Sequence, residues 1–139
     1  MKKKLNCILL IDDDEATNFL HKSILEEADI SEKIIVRENG EEAINFLTAR
    51  LDDHNYPQPD LIFLDINMPV LDGWQFLQKY KKLPPQAKGK IVLFMLTTSL
   101  NPADRKRAEG ESNVNGFKTK PLDEAMIDEI LNEFYPEYL

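Results

Sequence analysis

Several side chains that could do chemistry stand at or just after the ends of apolar runs. They are the acidic triplet Asp12–Asp14, then Asp65, Thr97 and Lys120. Carboxylates packed together repel one another and lose hydration, so such a group is tolerable only with a cation. Oxygen ligands without His or Cys suit a hard divalent ion, and we expect Mg²⁺ before Ca²⁺. A carboxylate, Mg²⁺, an ammonium group and a hydroxyl together predict a site for a phosphoryl group, with a carboxylate oxygen attacking in line.

The apolar runs that carry these groups predict β-strands. A run that is apolar at every position, such as Leu61–Leu64, is typical of a strand buried on both faces of a parallel sheet. The carboxyl ends of parallel strands share one edge of the sheet, so the acids, the hydroxyl and the amine should converge there. We expect strands at residues 5–11, 34–36, 61–64, 91–96 and 114–117.

Between the strands, apolar residues recur at helical spacing and predict five helices. The first should begin near Glu15 behind the cap Asp14, and the third should end at Pro84-Pro85. The others should begin after Asn39, after Asn101-Pro102 (a very polar helix) and near residue 122. We expect the apolar face of the first helix to consist of Ala16, Phe19, Leu20 and Ile24. Strands alternating with helices five times predict an α/β fold, a parallel sheet with helices on both faces.

Length and composition restrict the class of protein. The 139 residues predict one domain spanning 1–139, and the net charge of −8 argues against a basic surface for nucleic acid. The sole cysteine, Cys7, cannot form an internal disulfide, which favours a reducing compartment. No stretch is long enough for a transmembrane helix, and the apolar run after Lys2–Lys4 is too short for a signal peptide. We therefore expect a cytoplasmic domain that binds neither nucleic acid nor membrane.

Four motifs, in order and spacing, resemble those of response-regulator receiver domains of bacterial two-component signalling. Each is weakly specific alone, and together they cover essentially the whole chain. The resemblance implies a flavodoxin-like (βα)5 fold, a doubly wound five-stranded parallel sheet with the strand order 2-1-3-4-5. The motifs are Ile11-Asp12-Asp13, Leu64–Pro69 with Asp72-Gly73, Leu96–Thr98, and Phe117 with Lys120-Pro121.

The same resemblance implies a role for each residue at the acidic site. Asp65 is similar to the phosphorylated aspartate of the family. Asp13, Asp65 and the backbone carbonyl of Asn67 would hold Mg²⁺, with Asp12 acting mainly through bound water. Lys120 would pair with the acyl phosphate, and its peptide bond to the following proline would be cis.

The resemblance also implies a conformational switch. The Thr97 hydroxyl would move to bind a phosphoryl oxygen, and Phe117 would swing inward behind it. These movements would bias the surface formed by the fourth helix, the fifth strand and the last helix. In the family, the positions of Asn67 and Ser99 tune the lifetime of the phosphoryl group, and two small polar residues there predict a short lifetime.

These roles imply a stand-alone, chemotaxis-regulator-like response regulator. It would take a phosphoryl group onto Asp65 from a histidine kinase or a histidine phosphotransfer protein, and would then change its contacts with a downstream protein. It would not be an enzyme in the usual sense, because it would catalyse only its own phosphorylation and dephosphorylation. An alternative is a phosphorelay intermediate that passes the group onward.

Two further classes are disfavoured. A phosphatase of the haloacid-dehalogenase type also uses an aspartate after a parallel strand, but its second aspartate would stand where this chain has Asn67. A docking module without chemistry would not need the full set of acids, threonine and lysine. His21 and His54 have no sequence neighbours that indicate a phosphodonor or zinc ligand, so we expect them to be structural or solvent-facing.

Overall fold

Five parallel strands form the centre of the fold, which is described by a computed structural model at residues 4–50, 55–98 and 101–138. The strands lie in the order β2-β1-β3-β4-β5, as expected for the doubly wound flavodoxin-like sheet. Their bounds are β1 Leu5–Ile11, β2 Ser31–Arg37, β3 Leu61–Leu64, β4 Val92–Thr97 and β5 Gly116–Thr119.

Helices connect the strands and cover both faces of the sheet. One face is packed by helices α1 and α6, and the other by α2, α3 and α5. The helix bounds are α1 Glu15–Ala28, α2 Gly40–Thr48, α3 Gly73–Lys81, α4 Pro85–Lys88, α5 Pro102–Glu109 and α6 Glu124–Phe134, followed by a 3₁₀ turn at Pro136–Tyr138.

The apolar strands supply both cores at once. Along β3, Ile62 and Leu64 pack with the α2, α3 and α5 side, while Leu61 and Phe63 pack with the α1 and α6 side. Successive side chains of a strand point to opposite faces, so a strand buried on both faces must be apolar at every position. This explains the uninterrupted apolar runs of the sequence.

Side-chain caps begin the helices where the sequence predicts them. The carboxylate of Asp14 accepts the N–H of Thr17 at the start of α1, and Asn39 accepts the N–H of Glu42 at the start of α2. At α3, Asp72 and Gln75 form a reciprocal capping box. These caps satisfy backbone donors that have no partner within the helix.

The expected apolar face of α1 is wrong except at Ile24, which is partly buried and packs against the core on the α1 and α6 side. Phe19 and Leu20 are 76% and 46% exposed, whereas the buried side chains of the helix are Asn18, His21 and Leu25. The helix turns two polar residues inward because both find backbone partners near the sheet edge. Hydropathy alone therefore selects the wrong stripe.

Element boundaries differ from expectation in several further places. Strand β2 pairs with β1 from Ser31 to Arg37, well beyond the expected apolar core 34–36, because backbone pairing does not need apolar side chains. Strand β5 begins at Gly116, two residues later than expected, since the Asn115 side chain still accepts the Leu93 N–H just before it.

The pair Pro84-Pro85 does not end α3, which finishes at Lys81. Pro85 instead opens the short helix α4, where its missing N–H costs nothing at the first helical position. Residues 51–54, including His54, lie outside the described part of the chain. Within residues 4–50, 55–98 and 101–138, the helices lack the combination of length and apolar character that crossing a bilayer requires.

Candidate functional site

Two neighbouring strands deliver the acids to the carboxyl edge of the sheet. Ile11 of β1 pairs with Leu64 of β3, and the N–H of Asp65 donates to the Ile11 carbonyl at 2.9 Å. The residues that follow these strands are therefore adjacent. Asp12, Asp13 and Asp65 each offer a carboxylate oxygen, and these oxygens lie within 4.8 Å of one another.

Lys120, the residue directly after β5, reaches this acidic group. Its ammonium donates a hydrogen bond to Oδ2 of Asp12 and lies 3.3 Å from Oδ1 of Asp65. Its backbone N–H donates to the carbonyl oxygen of Thr97 at 2.8 Å, which ties the lysine to the end of β4. The peptide bond between Lys120 and Pro121 is cis, as the family resemblance implied. The expected convergence of acids and amine is confirmed.

The electrostatics of the site favour an added cation. Burial, and after it the negative charge of Asp12, raises the pKa of the Asp65 carboxyl from 3.8 to about 6 against the opposing attraction of Lys120. Burial alone would lower the pKa of Lys120, but its bond to Asp12 and the charges of both acids outweigh burial and raise it. One ammonium thus leaves the acidic group incompletely neutralised.

The donor set fits a divalent metal ion. Carboxylate oxygens are the ligands that Mg²⁺, Mn²⁺ and Ca²⁺ prefer, and three of them meet here without histidine or cysteine. Asp12 and Asp65 are buried while Asp13 is exposed, so the cluster opens to solvent on the Asp13 side. Asp14, as expected, serves as the helix cap, and its hydrogen bonds to Thr17 lower its pKa.

Thr97 and Phe117 lie on neighbouring strands at this edge. Thr97 is fully buried at the end of β4, and Phe117 of β5 is partly buried. Phe117 pairs with Met95, two residues before Thr97, so both side chains project from the same face of the sheet. The guanidinium carbon of Arg105 lies 6.0 Å from the centre of the Phe117 ring. Thr97 and Phe117, the two residues expected to form the switch, therefore share one face of the sheet next to α5.

The loop after Asp65 is folded back tightly. The N–H of Gly73 donates to the Ile66 carbonyl at 2.7 Å, and that of Leu71 donates to the Pro69 carbonyl at 2.7 Å. Val70, at the centre of this turn, has a φ of 67° and is 75% exposed. Asn67 is exposed in the same loop, while Ser99 lies outside the described residues.

Sequence reasoning missed two polar residues beneath the site. The side-chain amide of Asn18 donates to the Asp12 carbonyl at 2.7 Å, and the imidazole of His21 accepts the N–H of Leu122 at 3.2 Å. Their spacing of three residues in a helix that starts beside the acids was the available signal. The pattern could not show that they face the sheet.

A family model, a related sequence and solved structures all support the same family. The model of the response regulator receiver domain matches residues 8–132. The response regulator Rcp1 of Synechocystis is 35% identical over 113 residues, covering 81% of this chain and 75% of its own.

Solved structures show the same fold. A two-component response regulator from Cytophaga hutchinsonii superposes with a TM-score of 0.84 at 32% identity, covering 94% of this chain and 97% of its own. The Mn(2+)-bound form of response regulator Rcp1 gives a TM-score of 0.73 at 29% identity, with 96% of each chain covered. The chain belongs to the response regulator receiver domain family.

Proposed function

We propose that this receiver domain accepts a phosphoryl group on Asp65 from the phosphohistidine of a histidine kinase or a histidine phosphotransfer protein. One observation carries the proposal. The Asp65 carboxylate lies 3.3 Å from the Lys120 ammonium and beside two further acids whose oxygens come within 4.8 Å. A nucleophile, a fixed positive charge and a cation site are thus assembled at one edge of the sheet.

Mg²⁺ is the metal we propose for the acidic group, held by Asp12, Asp13, Asp65 and the backbone carbonyl of Asn67. The all-oxygen donor set supports this choice, and a structural neighbour, Rcp1, has been solved in a Mn(2+)-bound form. When bound, the ion would offset the negative charge of the phosphoryl oxygens. Asp12 is also bonded to Lys120, which supports a role for Asp12 in orienting the lysine as well as the metal.

The transfer itself needs little from the protein beyond placement. A carboxylate oxygen of Asp65 forms the new P–O bond, the P–N bond of the donor breaks, and its electron pair returns to the imidazole nitrogen. Asp65 must be ionised to attack, and a pKa of about 6 leaves it mostly ionised at neutral pH. Lys120 lies close enough to pair with the phosphoryl oxygens as they arrive.

The response to phosphorylation is proposed to pass through Thr97 and Phe117. The hydroxyl of Thr97 would bond a phosphoryl oxygen, and Phe117 would move inward on the same face of the sheet. The surface that would change is made by α5, β5 and α6, where a downstream protein would bind. The exposed Asn67 offers little shielding, which supports a short lifetime of the phosphoryl group, to be measured from the loss of radiolabel.

The redox state of the cysteine and the net charge of the chain support a cytoplasmic location and partners other than nucleic acid. Cys7 is free and buried, which suits a reducing cytoplasm. A net charge of −8 disfavours nucleic acid as a partner.

Intact-mass spectrometry after incubation with acetyl phosphate and Mg²⁺ tests the proposal. We expect a mass increase of one phosphoryl group in the wild type and in Asp60→Asn, and none in Asp65→Asn. Asp60 is a matched control because its carboxylate bonds the Asn6 N–H at the opposite edge of the sheet. An equal mass increase in Asp65→Asn would refute the assignment.

A further inference from the structure

Helix α1 carries a buried histidine to which neither the fold nor the proposed transfer step assigns a role. His21 is 2% exposed and lies in the inward-facing stripe of α1 with Asn18 and Leu25. A buried imidazole loses hydration, so its polar atoms need partners inside the protein. The partner of Nε2 is the backbone N–H of Leu122, at 3.2 Å.

That hydrogen bond falls on the segment that carries the site lysine. Lys120, Pro121 and Leu122 are consecutive, and proline has no N–H. The N–H of Lys120 donates to the Thr97 carbonyl, so β4 holds one end of the segment. His21 holds the other end through Leu122. Both backbone donors of the segment are therefore anchored, one to the sheet and one to α1.

The same turn of α1 also holds the acid that faces the lysine. Asn18 donates its amide hydrogen to the Asp12 carbonyl at 2.7 Å. Asn18 and His21 are three residues apart, so they lie on one face of the helix. One helical turn thus contacts the segments of both Asp12 and Lys120, whose side chains are bonded to each other. These two hydrogen bonds therefore tie both segments to the same turn of α1.

The protonation state of His21 is consistent with this contact. Accepting a hydrogen bond at Nε2 requires neutral imidazole with its hydrogen on Nδ1. Burial lowers the pKa of His21, and the positive charge of Lys120 lowers it further, which outweighs the opposite effect of Asp12.

We propose that His21 is a positioning residue for phosphoryl transfer, which acts by fixing the Leu122 N–H and thereby holding the Lys120 ammonium between Asp12 and Asp65. The expected effect of His21 on the rate of phosphorylation rests on the proposed function. The placement of Lys120 is a property of the unphosphorylated protein and can be measured without any transfer.

Two substitutions separate the hydrogen bond from the volume of the side chain. Gln can place its amide oxygen near the position of Nε2, whereas Leu fills similar space without an acceptor. We expect His21→Leu to slow phosphorylation by acetyl phosphate roughly tenfold or more, as for other outer residues that orient reactive groups. We expect His21→Gln to stay within about threefold of wild type by the same reasoning.

A double-mutant cycle with Lys120→Ala tests whether His21 acts through the lysine. We expect His21→Leu to cause no further loss of rate in the Lys120→Ala background. Leu47→Ala, a cavity in the core on the other face of the sheet, controls for lost stability and should leave the rate per folded molecule unchanged. Equal losses from His21→Leu in both backgrounds, or a wild-type rate in His21→Leu, would overturn the proposal.

NMR spectroscopy tests the position of Lys120 without any phosphoryl transfer. In NMR spectra, we expect His21→Leu to shift the Lys120 ammonium signal and to speed hydrogen exchange at the Leu122 amide, and His21→Gln to preserve both. If wild type gains no mass on Asp65, the proposed function fails, while these signals still decide the role of His21. An unchanged Lys120 signal in His21→Leu would overturn the positioning role even where transfer proceeds.

Discussion

A Cβ atom placed on Gly73 would lie 2.5 Å from the carbonyl oxygen of Asp65, far inside contact distance. The first residue of α3 therefore packs directly on the backbone of the proposed phosphoryl acceptor. The Gly73 N–H also donates to the Ile66 carbonyl at 2.7 Å, which closes the loop on itself. Only a residue without a side chain permits this approach.

Gly73→Ala should displace Asp65 and destabilise the fold. We expect a loss of about 1–3 kcal/mol, the usual cost of forcing extra volume into a packed site. The measurement is urea unfolding, with phosphorylation rate as a second readout. Gly110→Ala is the matched control, since its nearest atoms lie 3.5 Å and 3.9 Å away and its φ of −81° suits alanine. Unaltered stability in Gly73→Ala would contradict the close approach.

The pKa of Asp65 should respond with opposite signs to its two charged neighbours. Asp12→Asn removes a negative charge that disfavours ionisation, so the pKa of Asp65 should fall. Lys120→Met removes a positive charge that favours ionisation, so the pKa should rise. Carbon-13 NMR titration of the Asp65 carboxyl in metal-free buffer measures both. An unchanged pKa in both variants would contradict this prediction and show that burial alone sets the value.

Asp65→Asn should stabilise the metal-free protein at neutral pH. The carboxyl titrates near 3.8 in the unfolded chain and near 6 in the folded one, so the folded state disfavours its ionised form. The penalty is small below pH 3.8, grows as pH rises and levels off above pH 6 at roughly 3 kcal/mol. Chemical denaturation at pH 4 and pH 7 should give a stability gap that widens with pH. A gap that narrows over this range would refute the raised pKa.

Mg²⁺ should stabilise the protein through Asp13 but not through its neighbour Asp14. A ligand at a hundredfold its dissociation constant adds about 2.7 kcal/mol to the folded state. We expect the midpoint temperature of thermal unfolding to rise with Mg²⁺ in the wild type and in Asp14→Asn. Asn at position 14 keeps a side chain that can cap α1. We expect no rise in Asp13→Asn, and EDTA should reverse the effect. If only Asp14→Asn lost the stabilisation by Mg²⁺, then Asp14 and not Asp13 would be the metal ligand.

The inward face of α1 can be tested by comparing one exposed and one buried residue. Phe19→Ala should change unfolding free energy by no more than about 0.5 kcal/mol, because the ring is 76% exposed. Leu25→Ala should cost about 2–5 kcal/mol, because Leu25 is fully buried. Urea unfolding of both variants decides the matter. A large loss of unfolding free energy in Phe19→Ala would instead support the apolar face that hydropathy predicts.

Much of the fold and of the site could be predicted from sequence because both depend on local and topological rules. Continuous apolar runs indicated strands buried on both sides, and the caps Asp14 and Asn39 located the starts of helices. Since parallel strands end at one edge, the convergence of Asp65 with Lys120 required no knowledge of side-chain packing. The family resemblance then supplied the strand order and the cis peptide bond, both of which the structure shows.

Only the tertiary structure decided which polar groups turn inward and what they bond. The pattern of α1 could not show that His21 faces the sheet, because its partner is the backbone of Leu122, 101 positions away. The bond between Lys120 and Asp12 likewise joins residues 108 positions apart. Sequence periodicity registers the average hydropathy of a face, whereas a buried hydrogen bond depends on one distant atom brought within reach by packing. The strands and their shared edge could therefore be predicted from the sequence, whereas the buried hydrogen bonds of His21 and Lys120 could not.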